Sequence, residues 1–298
     1  PSTWRYWSQF MSCLDDTRTM NLKTFKKYFH DELKDLYSLR ELDSLFFIFI
    51  NYYLEISKIA YIQNSQKQLN KSDIKKFFSK IKLLKKNMPI QYVIGEVVHK
   101  KLKFYLNKNV LIPRPETEEL CNWVISSANK NNRILDIGTG SGFIAIILKK
   151  FINDCEVEAW DISKEALKVA KKNAKTNNVK IDFKKVDILK NNISSPSFDI
   201  IVSNPPYVDY CEKNKINSRV KDYEPHDAIF VDHDDNMIFY KKIIEKSERL
   251  LNKNGVLYFE SHSSRINILE NMLKINNFKR IIIKDDLFGK KRMISAQK

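Results

Sequence analysis

Two short stretches of this chain carry residue types that could do chemistry. The first is Ser203-Asn204-Pro205-Pro206-Tyr207, which follows the apolar run Phe198-Asp199-Ile200-Ile201-Val202. Pro205 and Pro206 have no amide proton, so a strand cannot continue through them. The chain must leave the strand in a stiff, extended turn whose carbonyls can face a ligand. Asn204 adds an amide with one donor end and one acceptor end, and Tyr207 adds a flat ring. An ordinary strand-ending turn would also account for these residues, so the rest of the chain has to decide. The second stretch is Gly138-Thr139-Gly140-Ser141-Gly142. The chain has only six glycines, and three of them lie within these five residues. Such clustering calls for a backbone reason.

The glycine run sits where a strand, Ile134-Leu135-Asp136-Ile137, turns into a helix beginning at Phe143. Gly138 and Gly140 open backbone torsions closed to other residues and let a ligand approach the main chain. Gly142 is expected to let the helix pack close to the strand. A dinucleotide fingerprint would need its third glycine at position 143, which is Phe, and no Gly-Lys-Ser/Thr phosphate loop is present. The turn therefore suits a nucleoside without a pyrophosphate. S-adenosylmethionine, with adenosine and an amino-acid tail, fits, and Gly138, Thr139, Gly140, Ser141 and Gly142 are its candidate contacts. The next strand ends in Trp160-Asp161, where a carboxylate can accept from both ribose hydroxyls. A third is expected to end in Val186-Asp187-Ile188, with Asp187 on the adenine amino group and Ile188 over the ring. Asn204 lies at a fourth strand end and is counted with both the cofactor and the substrate.

The elements that must position these residues follow from periodicity. From about Asn21 to Asn87 apolar residues recur at helical spacing, and Ser72 is read as the N-cap of a helix from Asp73 to Lys86. Within residues 90–112, Val97-Val98-His99 and Leu102-Lys103-Phe104-Tyr105-Leu106 alternate and Asn107-Lys108-Asn109 supplies a turn before Val110-Leu111-Ile112, so a β-hairpin connecting two domains is expected. From Arg133 onward strands and helices alternate to the end, with a final hairpin near Gly289. This predicts an α/β fold, a doubly wound and mostly parallel sheet whose last strand is antiparallel, behind a small N-terminal helical domain. The expected divisions are a helical substrate-docking domain over 20–88, a β-hairpin connector over 89–112 and a catalytic domain over 113–298. Residues 1–19 are expected to be a disordered or spurious extension of a chain that starts at Met20.

Composition narrows the class. The 298 residues are 43% hydrophobic, and an apolar run such as Leu45 to Ile50, which none exceeds in length, is too short to span a bilayer. Four cysteines, Cys13, Cys121, Cys155 and Cys211, lie far apart, which argues against zinc or a disulfide framework. A soluble cytoplasmic monomer with no bound metal is expected. The net charge of +16 admits a nucleic-acid partner. It equally admits drift in a Lys-, Asn- and Ile-rich chain, because the basic residues are spread and not gathered in one arm.

Taken together, the glycine turn and Asn-Pro-Pro-Tyr resemble the class I S-adenosylmethionine-dependent methyltransferases that act on planar nitrogens. Three further stretches narrow the likeness: Pro89-Ile90-Gln91-Tyr92-Val93-Ile94-Gly95-Glu96, Leu111-Ile112-Pro113-Arg114-Pro115-Glu116-Thr117-Glu118 and Tyr223-Glu224-Pro225-His226-Asp227-Ala228. With the helical N-terminus they resemble the PrmC/HemK family of protein-(glutamine) methyltransferases, over essentially Met20 to Lys298. One departure is Ile188, where relatives often carry an aromatic. The resemblance implies a Rossmann-like fold with a seven-stranded sheet, and methyl transfer from S-adenosylmethionine to the Gln amide of a Gly-Gly-Gln loop in peptide chain release factors. It places Asn204, Pro205, Pro206 and Tyr207 at the reacting amide. The Asn204 oxygen and the Pro205 carbonyl each take one N–H, the prolines fix the carbonyl direction, and Tyr207 packs on the amide plane. Asn-Pro-Pro-Tyr is shared with adenine methyltransferases of DNA or RNA, which would hold a flipped base with the same residues. A non-catalytic protein that has kept the fold is a third reading.

Overall fold

A computed structural model of the chain describes residues 20–190, 197–231 and 235–298. The expectation made for residues 1–19 lies outside them. The chain divides into two compact units between Ile94 and Gly95.

The first unit is helical because its apolar residues repeat at the helix period and its helix starts are capped. A two-residue strand β1 (Met20–Asn21) leads into α1 (Leu22–Leu33), α2 (Leu39–Leu54) and α3 (Lys58–Gln63). Strand β2 (Gln68–Leu69) then pairs antiparallel with β1, and α4 (Lys71–Lys85) and α5 (Ile90–Ile94) follow. Ser38 and Glu41 form a reciprocal capping box at the start of α2. The cap of α4 is Asn70, not Ser72, since the Asn70 side chain accepts the Asp73 amide at 2.7 Å. Phe25 is at the centre of the core, with its ring 5.1 Å from Phe77 and 5.9 Å from Phe46.

In the second unit the chain runs through a hairpin, β3 (Glu96–His99) and β4 (Leu102–Tyr105), into α6 (Pro115–Ser127). It continues as β5 (Arg133–Ile137), α7 (Phe143–Phe151), β6 (Glu156–Asp161), α8 (Lys164–Thr176), β7 (Asp182–Lys185) and β8 (Phe198–Ser203). After β9 (Val208–Asp209), α9 (Ser218–Tyr223) and β10 (Phe230–Val231) come α10 (Ile238–Leu250), β11 (Leu251–Glu260), α11 (Ile266–Ile275), β12 (Lys279–Asp285) and β13 (Lys291–Gln297). The hairpin is thus confined to 96–105, and Ile90–Ile94 is a helical turn. Val110 to Ile112 form no strand, because the Ile112 amide donates to the Glu224 carboxylate at 3.1 Å instead of to a ladder.

Seven strands form one sheet in the order β12-β13-β11-β8-β5-β6-β7. All neighbours are parallel except β13, which runs antiparallel to both β11 and β12. The strands read as continuous apolar runs because both faces are covered. Ile134, Val157, Ile200 and Val202 enter one core with α6 and α7. Leu135, Ile137, Ile201 and Phe259 enter the other with α10 and α11. From β5 the chain moves outward to β6 and β7, then returns to place β8 on the other side of β5. This reversal opens a crevice at the carboxyl ends of β5 and β8.

Candidate active site

The register of the sheet brings the motif ends to that crevice. Ile137 pairs with Ser203 on one side and with Trp160 on the other. Gly138, Asn204 and Asp161 are each the next residue of their chains at one edge. The Ser203 hydroxyl donates to the Ile137 carbonyl at 2.7 Å, locking the two inner strand ends together.

The glycine turn is held from beneath. The amides of Gly138 and Thr139 both donate to the Trp160 carbonyl at 2.9 Å. The Thr139 hydroxyl donates to Asp136 at 2.6 Å, and the Ala145 amide reaches the same oxygen at 3.2 Å. Thr139 and Ser141 are buried, so the turn offers main chain rather than side chains. Gly138 and Gly140 have φ of +76° and +54°, and a Cβ at either would meet open space. Gly142, at φ +81°, is different. A Cβ there would lie 3.0 Å from Ile146 Cδ1 and 3.1 Å from Ala170 Cβ. The close approach it permits is therefore to α8, not to a strand. Asp161 closes the turn from the side, its carboxylate accepting the Gly140 and Ser163 amides at 2.8 Å each. Burial raises its pKa against these bonds. Burial also pushes Asp136 up to about 7, although Thr139 and Ala145 oppose the shift. Among the described residues the second oxygen of Asp136 is buried with no hydrogen-bond partner.

Asp187 lies past the end of β7, in a turn tied to the second strand by the Val186 amide on the Asp161 carbonyl at 3.0 Å. The strand stops at Lys185 because Asp187 accepts the Leu189 amide at 3.0 Å and curls the chain. Ile188 is 9% exposed and belongs to the core that contains Trp160. Ile162, next to Asp161, is 55% exposed at this edge. It is an apolar surface beside the ribose candidate that the sequence pattern did not single out.

Asn204 is anchored by residues far away in the chain. Its Nδ2 donates to the Thr117 hydroxyl oxygen at 3.2 Å, and the Thr117 hydroxyl donates to Glu260 Oε2 at 2.7 Å. Thr117 comes from the first turn of α6, where Pro115 occupies an N-terminal position and Arg114 is the cap residue. Glu260 ends β11 and is 2% exposed. Burial pushes its pKa up to about 7, and nearby Glu116 adds to the shift while Thr117 and Arg292 oppose it. Pro205 is buried and Pro206 half-buried. The Tyr207 ring packs at the edge of the α10 core, 6.3 Å from the His262 ring. Burial raises the Tyr207 pKa, and Glu260 adds to the effect. Among the described residues no group of three or more His, Cys, Asp or Glu could hold a metal ion.

The methyltransferase small domain family matches residues 120–220. A release factor glutamine methyltransferase of Flavobacterium psychrophilum is 40% identical to this chain over 282 residues, covering 93% of this chain and 99% of its own. The chain belongs to the release factor glutamine methyltransferase family. Another member, from Bacteroides thetaiotaomicron, is 36% identical and covers 91% of this chain and 98% of its own. The fold has a solved counterpart in a methyltransferase from Pyrococcus furiosus. Its TM-score is 0.51 at 17% identity, over 76% of this chain and 98% of that one.

Within a release factor glutamine methyltransferase, the sequence stretches outside the glycine turn acquire structural roles here. Glu224 of Tyr223-Glu224-Pro225 is buried and accepts both the Arg114 guanidinium, at 2.6 Å, and the Ile112 amide. It thereby holds the segment that leads into Thr117. Thr117 and Glu260 were not singled out as site residues, since a Thr in a helix start and an acid after a strand have no distinguishing spacing. The adenine reading gains no support from these matches.

Proposed function

We propose that this chain transfers a methyl group from S-adenosylmethionine to the side-chain amide nitrogen of the Gln in the Gly-Gly-Gln loop of a release factor. The observation that carries the reading is the anchoring of Asn204 through its Nδ2. With that end held by Thr117, the Oδ1 end is left to accept an N–H.

The edge fits the cofactor. Open space lies beside Gly138 and Gly140, Asp161 is a carboxylate at the second strand end, and Ile162 is an exposed apolar side chain beside it. The unpartnered oxygen of Asp136 calls for a donor, as an ammonium would be. Gly138 to Gly142 would line the amino-acid tail, Asp161 the ribose, and Asp187 and Ile188 the adenine. S-adenosylmethionine supplies a methyl group already activated on a sulfonium.

The residues of the chain then have a positioning task. An amide nitrogen is a poor nucleophile because its lone pair is delocalised, and the amide oxygen competes for the methyl. Asn204 Oδ1 and the Pro205 carbonyl each accept one N–H, which presents nitrogen and keeps oxygen away. Pro205 and Pro206 fix that carbonyl before substrate arrives, and Tyr207 packs on the amide plane. Orientation of this kind can supply about 7–11 kcal/mol in favourable cases. S-adenosylmethionine held there would give up its methyl group to the amide nitrogen and depart as S-adenosylhomocysteine, while the nitrogen's proton would pass to water.

The helical unit is assigned the docking of the protein substrate. The enzyme is read as a cytoplasmic monomer, in keeping with the buried, free Cys121 and Cys155. No helix among the described residues is long and apolar enough to cross a membrane. Incubation with labelled S-adenosylmethionine should mark a purified release factor and leave adenine-containing DNA and RNA unlabelled. The reverse pattern would favour the adenine reading.

A further inference from the structure

Asn204 can present either end of its amide to a substrate, and only one end works. An outward oxygen accepts the N–H of a glutamine amide, whereas an outward NH2 group opposes it. What selects the end lies in the chain Glu260–Thr117–Asn204, with spacings of 2.7 and 3.2 Å. An ionised carboxylate only accepts. Beside it the Thr117 hydroxyl must donate its single proton to Glu260, so its oxygen is left to accept from Asn204.

We propose that Glu260 is a positioning residue that sets the orientation of Asn204 through Thr117, and so determines which atom of Asn204 meets the substrate amide. Glu260 has no direct role in the chemistry, because it is buried and reaches the crevice only through Thr117 and Asn204. Protonation reverses the chain. A carboxylic acid donates to Thr117, Thr117 donates to Asn204 Oδ1, and the NH2 end turns outward. Seven groups surround the carboxylate: Glu116, Thr117 and Cys121 of α6, Asn204, whose side-chain amide also bonds the ionised carboxylate directly and so reinforces the same orientation, Tyr207 of the turn after β8, Tyr240 of α10 and Arg292 of β13. Burial, with Glu116, places its ionisation at about 7. The relay therefore switches within the neutral range, and the active form is the ionised one above it.

The inference takes its substrate from the release-factor reading, but the orientation of Asn204 does not depend on the substrate, so two measurements separate the claims. In the free enzyme, the Asn204 side-chain amide is followed by NMR through neutral pH and assigned by its loss in Asn204→Asp. Its resonances should shift through one inflection in the wild type and stay still in Glu260→Gln. An unchanged titration in Glu260→Gln overturns the proposal whatever the substrate. In turnover on a purified release factor, Thr117→Val should lower kcat about 100-fold, the scale of a small misplacement at a reacting atom. Its affinity for S-adenosylhomocysteine should stay within about twofold of wild type, because Thr117 is not among the candidate cofactor contacts. Thr117→Ser, which keeps the hydroxyl, should restore most of kcat. Full kcat in a folded Thr117→Val variant overturns the proposal. Failure of the wild type on every release factor overturns the functional reading and leaves the NMR result to judge the relay.

Discussion

Asn173 of α8 grips Tyr105 of β4 by both backbone groups. Its Oδ1 accepts the Tyr105 amide at 2.7 Å and its Nδ2 donates to the Tyr105 carbonyl at 3.0 Å. The other Nδ2 proton goes to the Ser141 carbonyl at 2.8 Å. One helical turn on, Asn177 treats Lys103 in the same way. The two asparagines stand in for an edge strand, satisfying a hairpin edge that would otherwise be open. Asn173 also connects the hairpin to the glycine turn. Asn173→Ala leaves three backbone groups without their partner and should cost about 3 kcal/mol in urea unfolding. It should also weaken S-adenosylhomocysteine binding by loosening Ser141.

Gly142→Ala should be more damaging than the same change at an exposed glycine. The added Cβ meets Ala170 Cα at 3.2 Å as well as its Cβ, in a backbone region that L residues avoid. A loss of at least about 2 kcal/mol is expected, seen as a lower urea midpoint. Gly289→Ala is the control. It shares a positive φ of +73° but has nothing within 4 Å, so it should lose only the conformational part.

The Arg114–Glu224 pair is asymmetric. The Glu224 side chain is 1% exposed and the Arg114 side chain 33%. Glu224→Ala strips the buried Ile112 amide and the guanidinium together, and should cost about 3 kcal/mol. Arg114→Ala should cost less, because Glu224 keeps Ile112 and the guanidinium is partly in water. Both should lower kcat by shifting Thr117, and the order of the two losses in unfolding checks the assignment.

Asp136 makes stability depend on pH with a definite sign. Burial raises its folded-state pKa to about 7, so the native state holds the proton more tightly than the unfolded chain does. Its stabilising effect is complete below the ordinary carboxyl range and fades as pH climbs towards about 7. Asp136→Asn removes that dependence. The unfolding free energies of the two proteins should therefore diverge with rising pH, by no more than about 1.4 kcal/mol per pH unit, with the variant relatively favoured at high pH. Urea titrations across that range check it. Parallel curves would mean that Asp136 is ionised throughout.

The parts of the site legible in the sequence were those with local signatures. Three glycines in five residues, an acid after a short apolar run, and two prolines after another each announce a strand end, and the parallel register makes those ends neighbours. The helices that carry clear periodicity were legible for the same reason, including α7 and α11. Less was legible where a side chain replaces a backbone partner. Glu224 captures the Ile112 amide across 112 positions and removes a strand that the apolar residues would otherwise support. Asp187 curls the chain and ends β7 early. Thr117 and Glu260 meet across 143 positions, and no spacing rule flags such a pair.

The role proposed for Asn204 is to present a glutamine amide nitrogen for methylation. Mass spectrometry of the Gly-Gly-Gln peptide from a release factor, after incubation with S-adenosylmethionine, tests it most directly. With the wild-type enzyme the Gln residue should gain one methyl group on its side-chain nitrogen. With Asn204→Ala it should not, although binding of S-adenosylhomocysteine should be largely kept. A Gln methylated at near wild-type rate by Asn204→Ala, or left unmodified by the wild type, would rule that role out.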